Sequence, residues 1–90
     1  VYILLGRPED AIAALDQALR LHPDNVRAYV SLGAAYFLLN RPQDALAAYE
    51  KALKFKPDDA LALLGQGEVY ANLGRYDDAV KAIQESLRRR

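Results

Sequence analysis

The chain has 90 residues, 52% hydrophobic and 27% charged, the composition of one small soluble domain with a single core. Its 12 Lys and Arg balance 12 Asp and Glu, so no net field favours nucleic acid or an anionic membrane surface. The absence of cysteine excludes disulfides and thiolate metal sites, and no apolar run approaches the roughly 20 residues of a membrane span.

The opening stretch, VYILLGRPED, holds a short apolar run without a preceding basic segment or a small-residue cleavage site. It does not read as a secretory leader. Val1 to Leu5 reads as the end of a helix, with Gly6 as its left-handed terminator. Pro8 is compatible with a first helical turn, where its missing N–H would be unpaired anyway, and Glu9 and Asp10 suit the positive end of the helix dipole. This helix is predicted to run to about His22. Ala11, Ile12, Leu15, Ala18 and Leu19 form its apolar face. Pro23 stops it, and Asp24 or Asn25 is placed to cap the next helix.

The second helix is predicted over Val26 to Leu39, with Tyr29, Leu32, Gly33 and Tyr36 along one stripe. Gly33 costs about 1 kcal/mol of helix propensity against Ala, which makes sense if another helix approaches closely there. Asn40 stands at the turn, the next-best residue after Gly for a left-handed conformation. Pro42 starts a third helix to about Lys56, with Ala45, Leu46, Tyr49, Ala52 and Leu53 facing the core. Pro57, Asp58 and Asp59 repeat the stop and the cap. The fourth helix, Ala60 to Leu73, is the least regular. Gly65 and Gly67 weaken it, and Gln66 needs hydrogen-bond partners if buried. The last helix, Tyr76 to Arg89, is expected to turn Ala79, Val80, Ile83 and Leu87 inward.

These elements repeat. Tyr2, Tyr36 and Tyr70 are 34 apart, as are Ala11, Ala45 and Ala79; Pro23 and Pro57 follow the same spacing. A fixed period of this length marks a stacked repeat architecture. The central unit sets Tyr29, Leu32-Gly33, Tyr36, Ala45, Tyr49 and Pro57 in order. It resembles the tetratricopeptide repeat, with Tyr in place of Trp and of Phe. The resemblance covers essentially the whole chain. It implies an all-α fold, antiparallel helix hairpins stacked in a right-handed α-solenoid. Residues 1–25 read as a truncated repeat, 26–59 as a complete one and 60–90 as a nearly complete one. The chain reads as a piece of a longer array.

No catalytic constellation emerges, so an enzyme is not expected. His22, the one histidine, precedes a proline at a helix end, and no turn-mounted nucleophile or Gly-rich oxyanion loop accompanies it and Ser31. Asp58-Asp59 and Asp77-Asp78 fall at helix starts, where capping explains them better than a metal. The recurring tyrosines read as core packing, and Arg88 to Arg90 as a solvated helix end. No cofactor or metal is called for. The default expectation is a soluble, cytoplasmic chain.

The resemblance also implies where a partner sits. In such repeats the first helix of each hairpin lines a concave groove. By phase, the groove residues are Arg27, Val30, Ala34 and Phe37, then Leu61, Leu64, Glu68 and Ala71, with Ile3 and Leu4 continuing the strip. The surface is more apolar than charged. Val30, Ala34, Leu61 and Gly65 stand where some family members hold a peptide carboxylate with Lys, Asn and Arg, so that clamp is absent. The bland alternative is that neighbouring helices bury these residues. The expected function is a non-catalytic scaffold that receives a helix or extended peptide of a protein partner. The second reading is a self-association module, a homo-oligomer joined through uncapped terminal helices.

Overall fold

The computed structural model describes residues 8–88. Among these residues there are five α-helices and no strand: α1 (Pro8–Leu21), α2 (Val26–Leu38), α3 (Pro42–Phe55), α4 (Ala60–Asn72) and α5 (Tyr76–Arg88). Each of them ends within one residue of the end expected from the sequence. The expected helix end at Val1 to Leu5, its terminator Gly6 and the last two arginines lie outside the described residues.

Local chemistry sets the boundaries. Asn25 caps α2, its side chain accepting from the Ala28 N–H at 3.1 Å. Asp59 caps α4, accepting from the N–H groups of Leu61 and Ala62 at 2.9 and 3.2 Å. Both satisfy backbone donors that a helix start leaves unpaired. At the other ends, α2 and α4 finish in the same motif. The Asn40 and Arg41 N–H groups donate to the Phe37 and Tyr36 carbonyls, and those of Gly74 and Arg75 donate to Ala71 and Tyr70. This is a Schellman closure, and it needs a positive φ at its pivot: 59° at Asn40 and 78° at Gly74. The arginine after each pivot then lies over the preceding tyrosine, Arg41 5.1 Å from the Tyr36 ring centre and Arg75 4.9 Å from that of Tyr70. Each also pairs at 2.8 Å with an aspartate in the next helix, Asp44 or Asp78.

Short connections leave consecutive helices antiparallel. α2 packs most extensively on α3 and α4 on α5, while α1 lies against α2, α3 against α4, and α2 touches α4. Contacts between near neighbours only are what a solenoid of stacked hairpins produces. Alanines make the close approaches possible, with Ala35, Ala45, Ala52 and Ala62 fully buried. At the end of the stack the buried Ser86 donates its hydroxyl to the Ala60 carbonyl at 3.2 Å, tying the end of α5 to the start of α4.

The inward face of α5 differs from the expected one. Ala79, Ala82 and Ser86 are buried and Ile83 is half-buried, but Val80 and Leu87 are 52% and 58% exposed. The reason is positional. Leu46 and Leu53, 34 residues earlier, lie on α3, which α4 covers, and they are buried and half-buried; among the described residues no helix plays that part for α5. Gln66 of α4 is half-buried, and no buried side-chain oxygen or nitrogen among the described residues lacks a partner.

Candidate functional site

Glycine decides how closely the first helices of the two complete hairpins approach. A Cβ built on Gly33 of α2 would lie 2.5 Å from Cζ of Tyr49, and one on Gly65 of α4 would meet the same ring, 2.5 Å from its Cε1. Both are far inside van der Waals contact. The α3 tyrosine is therefore wedged between α2 and α4, in space that only two missing side chains provide. Gly33 was expected to mark a close helix contact, and it does. Gly65 is half of the same device, which the repeat spacing alone does not reveal. Gly67, 34 residues after Gly33, plays the equivalent part toward Ile83 of α5. Gly65 has no counterpart in phase, since Ser31 stands 34 residues before it. That out-of-phase glycine was the available signal.

The expected groove residues lie on both sides of this wedge. Arg27, Val30, Ala34 and Phe37 belong to α2, and Leu61, Leu64, Glu68 and Ala71 to α4. None of the eight is buried. Leu61 and Leu64 are 57% and 40% exposed, whereas Ala62 and Leu63 between them are buried, so α4 turns one face to the core and another away from it. Arg27 and Glu68 are exposed, and Val30, Ala34, Phe37 and Ala71 are half-buried. Val30 and Phe37 also pack against the core cluster around Tyr49. A cleft of about 120 Å³ gathers Arg27, Val30, Ser31, Asp59 and Leu61 at the N-terminal ends of α2 and α4. The other expected residues continue along the same two helices. Ile3 and Leu4 lie outside the described residues.

The Tyr49 phenol is chemically distinct. Burial, with the Glu68 carboxylate adding to it, pushes its pKa up to about 12. It therefore stays protonated and neutral at physiological pH.

A second cleft, of about 380 Å³, opens between α1 and α3 over α2, lined by Asp16, Leu19, Tyr29, Tyr36, Asp44 and Lys51 among others. Much of its polar chemistry is already engaged. Asp44 pairs with Arg41, which covers the Tyr36 ring, and the Tyr29 hydroxyl donates to the Pro23 carbonyl at 3.0 Å. Tyr29 also stacks on Phe55, with ring centres 6.1 Å apart. His22 is exposed between α1 and α2. Among the described residues no three His, Asp or Glu side chains gather as a metal site would require, and no helix is long and apolar enough to cross a membrane.

Comparison with known proteins gives a consistent picture. A family model for the tetratricopeptide repeat matches residues 2–60 and again 39–90. Among solved structures, a crystal structure of MamA is 31% identical, with a TM-score of 0.90 over 98% of this chain and 52% of that one. A further MamA structure, from MSR-1, is 19% identical with a TM-score of 0.89, over 98% of this chain and 51% of that one, a likeness of fold alone. The chain thus spans about half the length of these structures. No curated protein matches it.

Proposed function

Because the chain belongs to the tetratricopeptide repeat family, we propose that it is a non-catalytic scaffold that holds a peptide or helix of a partner protein on the α2–α4 face. One observation carries this reading: the α4 leucines on that face, Leu61 and Leu64, are substantially exposed, while Leu63 and Leu46 on the helix-packing faces are buried. Leu61 shares a cleft with Val30 and Arg27; with exposed Leu64 and half-buried Phe37 on the same two helices these would make an apolar strip, with Arg27 and Glu68 supplying polar selectivity. A helix laid in a groove would use such a strip through side chains three and four residues apart. The lack of a carboxylate clamp points to an internal segment of the partner rather than its C-terminus.

The cleanest perturbation is Leu61→Glu. The side chain is exposed, so the melting temperature should stay nearly constant while partner binding falls. Val30 is a poorer choice because it packs against the core. Equal loss of folding and binding in Leu61→Glu would reject the groove.

The second reading, assembly through the ends, has its own support. Tyr76, Val80 and Leu87 of α5 are all more than half exposed and recur at four- and seven-residue spacing, with half-buried Ile83 between them, the pattern of a helix–helix seam. Sedimentation across a wide concentration range tests it: the wild type should self-associate, and Val80→Glu with Leu87→Glu should suppress this. A strictly monomeric wild type rejects that reading.

A further inference from the structure

Tyr49 has one polar group that the fold does not use. The residue is 5% exposed, and its ring is held between Gly33 and Gly65, so the side chain has a single slot. Oη lies 2.8 Å from the Cβ position of Gly65, on the α4 side of the wedge. Glu68 follows three residues later, on the same face of α4, near enough for its charge to act on the phenol. Oη neither donates nor accepts a hydrogen bond among the described residues, yet no side-chain oxygen there is both sealed from solvent and unpartnered. It therefore keeps a trace of solvent contact, although the residue as a whole is buried. The exposed Glu68 carboxylate makes no ion pair among the described residues.

We propose that Tyr49 Oη and the Glu68 carboxylate together form a subsite for a cationic side chain, lysine or arginine, of a peptide lying on the α2–α4 face. This rests on the groove reading above. A carboxylate only accepts hydrogen bonds, and Oη, at the Gly65 position less than one helical turn before Glu68, offers a second acceptor. Ammonium and guanidinium groups carry several donors, no acceptor and a permanent positive charge at neutral pH, so they can serve both oxygens with a matching charge. An aspartate or glutamate of the ligand would meet Glu68 with like charge. The aliphatic stem of a lysine or arginine can lie on Leu64, one turn before Glu68 and 40% exposed, while its head reaches the oxygens. The wedge fixes Oη in place before binding, so little ordering is left to the moment of contact.

The test is a random linear peptide library displayed on phage, panned first on the wild-type chain and then on Glu68→Lys. Wild-type binders should carry Lys or Arg beside apolar residues, and Glu68→Lys should lose them and favour Asp or Glu. A selected peptide, titrated by fluorescence anisotropy, should bind Glu68→Gln roughly tenfold more weakly. Tyr49→Phe should weaken it several-fold at an unchanged melting temperature. Replacing the peptide's basic residue with norleucine should erase the difference between wild type and Glu68→Gln. Binders without a basic residue, or equal affinity for wild type and Glu68→Gln while Leu61→Glu still abolishes binding, would overturn the subsite and leave the groove standing. Failure of any peptide to enrich would overturn both.

Discussion

Replacing Gly65 with alanine sets two opposing effects against each other. In an exposed helix interior the change stabilises by up to about 1 kcal/mol, since alanine loses less backbone freedom on folding. At Gly65 the new methyl would lie 2.5 Å from Cε1 of Tyr49, against an ordinary carbon–carbon contact of about 3.5–4 Å. The ring is rigid and cannot retreat, because the Cβ position of Gly33 on its other side is equally close, 2.5 Å from Cζ. Relief requires α4 to lift from α3, an overpacking cost of about 1–3 kcal/mol. The crowding should win by about 1 kcal/mol, lowering the melting temperature by about 4–8 °C in a domain of this size. Thermal and urea unfolding followed by circular dichroism measure it. The decisive comparison is the Tyr49→Leu background, where the ring is gone and Gly65→Ala should become neutral or stabilising. A double-mutant cycle isolates that coupling. Equal shifts in the two backgrounds, or a stabilised single variant, would refute the wedge.

Two further outcomes follow from the same geometry. At Asn40, with φ at 59°, alanine should cost about 1 kcal/mol and glycine should be tolerated or better; urea midpoints distinguish the two, and a harmless alanine would contradict the Schellman closure. Tyr49 should ionise only near pH 12 in a spectrophotometric titration, against about 10 for a phenol in water. Because its folded pKa is raised, its contribution to stability is complete below pH 10 and declines as pH rises from 10 through 12. Tyr49→Phe should remove that part of the alkaline loss, and an alkaline profile that Tyr49→Phe leaves unchanged would contradict it.

Much of this architecture is local and therefore legible in the chain. Helix starts and stops are chemical: Asn25 and Asp59 cap, Pro42 begins α3, and Asn40 and Gly74 supply the positive φ that closes a helix. Each signal acts over a few residues, and repetition at a fixed interval makes the stacking of hairpins follow. Phase also assigns the expected groove residues to α2 and α4, which is where they lie, since both repeats obey one geometry. What needed the tertiary structure was whatever depends on which helix lies on which. The purpose of Gly65 is invisible along α4, because its partner is a ring on α3 that also fills the gap left by Gly33 on α2. The exposure of Val80 and Leu87 likewise cannot be read from α5, whose periodicity matches a helix covered on that side. Periodicity states which residues could be buried together. Only the neighbours present in space decide which of them are, and whether a ring such as that of Tyr49 finds room between two helices.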